Sequence, residues 1–265
     1  MALTPDLRPS LSAGGSTPAP WAPTDVTGLE LFLDADDTSS LFQNSGGSVA
    51  VSTPSDPVGY AGDKSGNGRH FVQATSGQRL SWQSDGMGGG HASILADDVD
   101  DRLDRAPAFG ITGAQTWAIT FRLAAVPGSS EIDGVLDLSA GGKSSPLVVC
   151  NFAGYQAITW CFDFSGSVTA VGINPTLDTS RHSLLIVYAG GGPTTPGNYT
   201  VYLDGTPQTV NASSAFVATS GSTLANLANG SFPAALHLGK AIVYSGALSG
   251  ADLTNLQAYL AGAIA

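Results

Sequence analysis

The stretch Trp117-Ala-Ile-Thr-Phe-Arg-Leu123 alternates large apolar residues with small or polar ones. In a β-strand, successive side chains point to opposite faces, so Trp117, Ile119 and Phe121 share one face and the residues between them share the other. We expect the aromatic face to be buried between two sheets. The stretch therefore predicts a strand of an all-β protein.

Short β-rich runs of this kind recur from residue 29 onward, separated by clusters of Gly, Asn, Asp and Ser. Strands at this density are typical of a sandwich or barrel, and no long helical pattern interrupts them. We predict one two-sheet antiparallel sandwich. The predicted strands are 29–33, 71–74, 79–83, 92–95, 117–123, 132–138, 147–152, 158–164, 168–173, 184–189, 199–203, 235–238 and 242–244.

The composition fits one large β domain. Hydrophobic residues make up 42% of the 265 residues and charged residues 12%, and there are 34 glycines and 15 prolines. All-β sandwiches of about 200–250 residues often form one unit. We place the sandwich at residues 26–265.

The net charge of −11 excludes the basic footprint that a nucleic-acid-binding protein needs and disfavours binding to anionic membranes. The sequence contains no run of about 18 apolar residues, so we predict no membrane-inserted segment. The acidity has two interpretations: it serves solubility, or some of the aspartates hold calcium.

Residues 1–25 form a Pro-rich segment, with prolines at positions 5, 9, 18, 20 and 23 that disfavour helix and central strand. We interpret the segment as an extended arm that anchors the chain to a partner subunit; the alternative is a disordered tail. The first residues have neither the apolar core nor the cleavage pattern of a signal peptide, so we expect synthesis in a cytoplasm.

The C-terminus predicts a short helix over residues 249–263. Ser249 and Asp252 have the spacing of a capping box. Four apolar residues then fall on one helical face, namely Leu253, Leu256, Leu260 and Ile264.

The two cysteines, Cys150 and Cys161, lie at equal distances from a turn predicted near Tyr155–Gln156 and could face each other across a hairpin. Because we expect cytoplasmic synthesis, we favour two buried thiols over a disulfide.

Several motifs together resemble the laminin-G-like jelly rolls of bacteriophage and bacterial surface proteins, which have the concanavalin-A-like sandwich fold. Asp63-Lys-Ser-Gly-Asn-Gly-Arg-His-Phe71 is the most specific match. Asp98-Val-Asp-Asp-Arg-Leu103 departs from the family pattern at Val99, where glycine is usual. The other matches are 29–37, 201–205, 238–240 and the closing strand and helix, 242–262.

The resemblance implies a non-enzymatic structural or adhesion protein on the surface of a phage or phage-like particle, as a decoration, fibre or tail module. Such a protein would bind other virion proteins through the arm, form a homo-oligomer and bind host-surface glycans. The alternative is a carbohydrate-binding adhesin of a bacterial cell surface. Fold alone does not decide between these functions.

Catalysis is the least favoured interpretation. Retaining glycoside hydrolases need two carboxylates about 5–5.5 Å apart. The chain has only two glutamates, Glu30 and Glu131, far apart in sequence. The aspartates between residues 97 and 104 lack a strand context, and there is neither a Gly-x-Ser-x-Gly motif nor a metal-ligand spacing of histidines.

The resemblance also implies a calcium ion at the rim of the sandwich, although no cofactor is required. The candidate ligands are Asp34, Asp36, Asp63 and Asn67. The alternative is that Asp63 and Asn67 cap their own turn while the aspartates after strand 29–33 are solvated.

Glycan binding needs exposed aromatic rings beside polar groups. Tyr155 and Trp82 are the candidates, and the alternative is that they belong to the core, as we expect for Trp117 and Trp160.

Overall fold

The computed structural model describes residues 20–106, 109, 111–129, 131–138, 146–152, 155–160, 162, 167–219, 225–227 and 235–265. These residues form nineteen strands and one α-helix, α1 (Gly250–Gly262). In chain order the strands are β1 (Leu29–Asp34), β2 (Leu41–Phe42), β3 (Pro57–Val58), β4 (Tyr60–Ala61), β5 (Phe71–Val72), β6 (Leu80–Gly88), β7 (His91–Leu95), β8 (Leu103–Arg105), β9 (Gln115–Leu123), β10 (Glu131–Asp137), β11 (Pro146–Phe152), β12 (Tyr155–Trp160), β13 (Ser167–Ile173), β14 (Arg181–Tyr188), β15 (Tyr199–Leu203), β16 (Thr206–Gln208), β17 (Asn211–Thr219), β18 (Ala225–Leu227) and β19 (Leu236–Tyr244).

The strands form two antiparallel sheets. Sheet 1 has the order β16-β15-β14-β9-β19-β7-β6-β3, and β1 also pairs with β19. Sheet 2 has the order β17-β13-β12-β11-β10-β18-β8-β5-β4-β2. The predicted all-β sandwich is confirmed.

The main core lies between the sheets. Trp117, Ile119 and Phe121 of β9 are at most 2% exposed and belong to this core, as their alternation predicts. Sheet 2 contributes Trp160 and other apolar side chains from its inner face. The ring of Trp117 stacks on Phe162 with a centroid distance of 4.4 Å.

A second apolar cluster covers the outer face of sheet 1. Ala118 of β9 is fully buried there because Leu256 and Leu260 of α1 pack over the sheet. Helix α1 confirms the helix predicted at the C-terminus. The side chain of Ser249 accepts no hydrogen bond from a backbone amide of the first turn, so the predicted capping box is wrong. In the part of the chain that the structure describes, no helix is long and apolar enough to cross a membrane.

The end of the predicted arm packs against this second cluster. Trp21 makes an edge contact with Tyr259, at a centroid distance of 5.9 Å. The hydroxyl of Tyr244 donates a hydrogen bond to the carbonyl of Pro23 over 3.0 Å. Residues 1–19 of the predicted arm lie outside the described residues.

One long strand, β19, replaces the two strands predicted at 235–238 and 242–244. The strand pairs with β9 along its length, but the register shifts between Leu238 and Lys240. A Cβ atom on Gly239 would lie 2.6 Å from Oγ1 of Thr120. Oγ1 of Thr120 accepts a hydrogen bond from the amide of Lys240 over 2.8 Å, which holds the bulge.

The hairpin β11–β12 has a different register from the predicted one. Cys150 pairs with Ala157, so it does not face Cys161 across the hairpin. Cys150 is a buried free thiol, and burial raises its pKa. Cys161 lies outside the described residues.

We expect Phe121→Ala to lower the free energy of unfolding by about 3–5 kcal/mol, because the substitution leaves a cavity in the main core. Urea unfolding measures the loss. Val49→Ala, at a side chain that is 50% exposed, is the control and should change stability by less than about 0.5 kcal/mol. Equal effects of the two substitutions would show that the assigned inner face of β9 is wrong.

A chain that starts at residue 26 should melt at a lower temperature than a chain that starts at residue 20. The shorter chain loses the ring of Trp21 and leaves the buried hydroxyl of Tyr244 without its acceptor, which costs about 1–3 kcal/mol. Differential scanning calorimetry compares the two chains, and Tyr244→Phe in the longer chain isolates the hydrogen bond. Equal melting temperatures would contradict this packing.

Candidate functional site

A buried ammonium group organises the end of β1. Lys240, which is 7% exposed, forms ion pairs with Asp34 and with Asp36, the latter over 2.9 Å. Asp36 also accepts hydrogen bonds from the amide of Ala92 over 2.6 Å and pairs with Nδ1 of His91 over 3.2 Å. These contacts link β19, β1 and β7 in one charged cluster.

Lys64 extends the charged cluster toward solvent. Its Nζ lies 3.3 Å from Asp34 and 2.7 Å from Asp37. The hydrogen bond from Lys64 lowers the pKa of Asp37. Burial lowers the pKa of Lys64, but the hydrogen bond to Asp37 and the charge of Asp34 outweigh burial and raise it.

Asp63 and Asn67 hold the turn below β1. Asp63 accepts hydrogen bonds from the amides of Phe32, Ser65 and Arg69 over 2.9–3.0 Å. The side-chain amide of Asn67 (Nδ2) donates to the carbonyl of Leu29 over 2.8 Å. The two residues therefore tie this turn to β1 through backbone groups.

The four residues predicted as calcium ligands have other partners in this structure. Calcium needs about six to eight oxygen ligands. The carboxylates of Asp34 and Asp36 form ion pairs with lysine ammonium groups. The carboxylate of Asp63 already accepts hydrogen bonds from backbone N–H groups. Lys240 supplies a positive charge to Asp34 and Asp36 here, and calcium at the four residues stays a prediction from the sequence.

A groove of about 330 Å³ opens beside the charged cluster, between α1 and the ends of β1 and β7. We call it the helix groove. It is lined by Asp36, His91, Lys240, Ala258, Tyr259, Gly262 and Ala263.

Tyr259 places an aromatic ring in the helix groove. Nζ of Lys240 lies over this ring, 5.9 Å from its centroid. Phe32 supports the ring with an edge contact at a centroid distance of 6.4 Å. Among the described residues, neither the hydroxyl of Tyr259 nor Nε2 of His91 has a hydrogen-bond partner, so both groups are available to a ligand.

The electrostatics fix the protonation states of Tyr259 and Asp36 at neutral pH. Burial raises the pKa of Tyr259 to about 12. Burial also raises the pKa of Asp36, but hydrogen bonds from Lys240 and the Ala92 amide outweigh burial, and the pKa lies below its ordinary value. Asp36 is therefore an ionised hydrogen-bond acceptor.

A different loop brings carboxylates together. The carboxylate oxygens of Asp97, Asp100 and Asp101 lie within 4.8 Å of one another, a spacing that could hold a cation. Burial, together with the charges of Asp97 and Asp100, raises the pKa of Asp101 to about 7. We call this segment the acidic loop; four aspartates within positions 97–101 are the sequence signal for it.

A second buried carboxyl lies near the acidic loop. Asp133 of β10 is 4% exposed. Burial raises its pKa to about 7, and the charges of Asp98 and Glu131 add to the rise. This part of the domain therefore contains two carboxyl groups that retain protons close to neutral pH.

Trp82, one of the two aromatic residues predicted to bind sugars, does not line the helix groove. Trp82 is 8% exposed in the main core, and its indole donates to the carbonyl of Ala35 over 3.1 Å, so its ring cannot stack on a sugar. The backbone of Tyr155 begins β12, and its side chain lies outside the described residues. The sequence interpretation missed His91, Lys240 and Tyr259, which come from three distant elements.

Comparison with known proteins yields structural neighbours only. No protein-family model and no curated protein matches the sequence. Among solved structures, the binding domain of botulinum neurotoxin serotype D is similar, with a TM-score of 0.51 at 9% identity, covering 89% of this chain and 52% of that one.

Botulinum neurotoxin type C, whose cell entry depends on interaction with two ganglioside molecules, is a second similar structure. Its TM-score is also 0.51, at 10% identity, and the match covers 89% of this chain and 52% of that one. A Trypanosoma rangeli sialidase matches with a TM-score of 0.48 at 11% identity, covering 89% of this chain and 33% of that one. The chain thus spans about half or less of these neighbours. At such identities the likeness to the toxin domains supports the β-sandwich fold.

We expect Asp101→Asn to stabilise the protein increasingly as the pH rises. The folded pKa of about 7 exceeds the ordinary value of 3.8, so the folded chain retains a proton that the unfolded chain releases. The favourable contribution is complete below pH 3.8 and is lost as the pH rises through about 7. At pH 8 the variant should melt a few degrees above the parent chain, since about 1 kcal/mol shifts Tm by about 2–4 °C.

Melting curves from pH 4 to pH 8 measure this difference. Asp37→Asn is the control: the lowered pKa of Asp37 stabilises the fold at every pH above 3.8, so this variant should melt below the parent chain by about the same amount throughout the range. A pH-independent effect of Asp101→Asn would contradict the raised pKa. A rise in Tm on adding calcium that Asp101→Asn abolishes would assign the acidic loop to metal binding.

Proposed function

We propose that this chain is a non-enzymatic glycan-binding domain and that the helix groove is its binding site. The observation that carries the proposal is the placement of Tyr259 beside Asp36 and His91 in one open groove. A sugar ring has an apolar face of C–H groups and an edge of hydroxyl groups. An aromatic ring beside fixed hydrogen-bonding groups complements both.

The charged cluster makes the helix groove rigid before a ligand arrives. Lys240 is held by two carboxylates, and Asp36 is held in turn by Lys240, His91 and the Ala92 amide. Groups whose positions are set by packing and hydrogen bonds lose little conformational entropy on binding. Such a groove can bind a weakly held ligand such as a glycan without closing over it.

The absence of catalysis is part of the proposal. Glycoside hydrolysis needs two carboxyl groups, one of which retains a proton to protonate the leaving oxygen. Asp36 is the carboxyl group among the described residues that line the helix groove, and its pKa is lowered. It is therefore suited to accept hydrogen bonds from sugar hydroxyls.

The structural neighbours add an analogy of fold. The type C botulinum neurotoxin structure concerns a protein that depends on gangliosides for cell entry. A sandwich of this class is thus compatible with glycan recognition, although fold does not fix function. The virion surface, the anchoring arm, the homo-oligomer and the alternative of a bacterial adhesin stay predictions from the sequence.

A glycan array probed with the full chain tests the proposal. We expect binding to at least one glycan class, and we expect His91→Ala to weaken it about tenfold by removing one ligand hydrogen bond and the support of Asp36. Tyr259→Ala should weaken binding as well, while Tyr259→Phe should retain the contribution of ring stacking.

His182→Ala is the matched control, because His182 also pairs with aspartates, Asp204 over 2.8 Å and Asp178 over 3.2 Å, but lies outside the helix groove. Melting curves of each variant verify the fold. The proposal fails if no glycan binds, or if His91→Ala and His182→Ala affect binding equally.

A further inference from the structure

A second pocket lies on the outer face of sheet 1, formed by side chains different from those of the helix groove. Its volume is about 310 Å³. We call it the arginine pocket. It is lined by Gln83, Ser84, Asp85, Gly86, Arg122 and His237.

Arg122 lacks the partners that a half-buried guanidinium usually has. Its Nη1 donates to the carbonyl of Gly86 over 3.0 Å. Its Nε is buried and has no hydrogen-bond partner. Among the described residues no carboxylate forms an ion pair with Arg122, although acidic residues outnumber Lys and Arg by 21 to 10. A buried donor without a partner costs about 1–3 kcal/mol, so such a group requires an explanation.

Arg79 shows the contrast within the same chain. This half-buried arginine also forms no ion pair with a described carboxylate. Its Nε donates to the carbonyl of Gln73 over 3.1 Å, and its Nη2 donates to the carbonyl of Ala74 over 2.9 Å. Backbone carbonyls therefore satisfy both of these nitrogens, whereas Nε of Arg122 faces no acceptor. Among the described arginines, Arg122 is the one with a buried nitrogen that has no hydrogen-bond partner.

Arg122 is the positively charged group among the residues that line the arginine pocket. Burial, with the charge of Arg122, lowers the pKa of His237 to about 4, so the imidazole is neutral. Nδ1 of His237 lies 2.9 Å from Oγ of Ser93. Asp85 is exposed, and its carboxylate accepts a hydrogen bond from the amide of Gly90 over 2.7 Å.

Gly86 keeps the floor of the arginine pocket open. A Cβ atom at this position would lie 1.9 Å from Oγ of Ser93 and 2.9 Å from Nδ1 of His237. Any larger residue would therefore displace the Ser93–His237 pair. The carbonyl of the same glycine orients the guanidinium of Arg122.

We propose that the arginine pocket binds the carboxylate of an acidic sugar. This inference rests on the proposed glycan-binding function and names a ligand class for a second site. A planar guanidinium donates hydrogen bonds to a carboxylate through its terminal nitrogens, and Nη2 of Arg122 donates to no described residue while Nη1 donates to one carbonyl. Gln83 and Ser84 supply amide and hydroxyl groups for the sugar hydroxyls.

Calorimetric titration of the full chain with glucuronic acid and with N-acetylneuraminic acid tests this inference. The methyl ester of each sugar is the matched ligand control, because it retains the ring and loses the charge. We expect at least one acid to bind about tenfold more tightly than its ester. Arg122→Gln should abolish that preference, and Arg122→Lys should retain part of it because the charge remains without the planar fork.

Arg79→Gln is the matched protein control and should retain the preference for the acid. Gln83→Ala provides a second variant of the pocket should Arg122→Gln melt at a much lower temperature than the parent chain. The inference is overturned if acid and ester bind equally, or if Arg122→Gln and Arg79→Gln retain the same preference for the acid.

The two proposals fail separately. If His91→Ala weakens glycan binding while Arg122→Gln leaves the preference for the acid unchanged, the helix groove stands and the arginine pocket does not. If Arg122→Gln abolishes the preference while His91→Ala has no effect, the arginine pocket stands and the helix groove does not. Failure of every glycan and both acids to bind overturns both.

Discussion

A buried ammonium group constrains one whole side of this domain. An unpaired charge in a protein interior is strongly unfavourable, so Lys240 requires both Asp34 and Asp36. Those carboxylates in turn fix the start of the loop after β1 and, through Asp36, the position of His91 on β7. The bulge at Gly239 is where β19 shifts register on β9, immediately before the lysine. Substitution of Asp34 or Asp36 therefore removes one of the two partners of the buried ammonium group.

The double burial of sheet 1 decides where a ligand can bind. The inner face of this sheet belongs to the main core, and α1 covers part of its outer face at Ala118 and Ile242. The helix groove lies beside α1, and the arginine pocket is formed by other residues of the sheet. The rigidity that the sandwich needs for stability therefore also prepares both sites, since their polar groups lie on strands or on the helix, apart from Asp36 in the turn directly after β1.

The local alternation of apolar and polar residues was enough to predict the fold. It could not predict which residues from distant parts of the sequence pair with each other. The alternation around Trp117 and Phe121 shows which face is buried because the period of a strand is a local property. The charged cluster joins Asp34 to Lys240 across 206 positions, so the aspartates resembled free metal ligands in the sequence. Trp82 resembled a sugar-binding residue for the same reason, since the core and the carbonyl of Ala35 that enclose it come from other segments. Strand β17 was missed because six of its nine residues are Ala, Ser or Asn.

The negative net charge of the protein explains why binding of an acidic ligand would require direct contact with a positively charged side chain. A chain with a net charge of −11 repels a carboxylate at long range. At physiological ionic strength the Debye length is about 8 Å, so salt screens most of that repulsion while a direct hydrogen-bonded pair persists. Lys64 and Lys240 are neutralised by aspartates, whereas Arg122 has no carboxylate partner in the described structure. The proposed recognition of an acidic sugar would therefore depend on contact with one guanidinium rather than on the field of the whole protein.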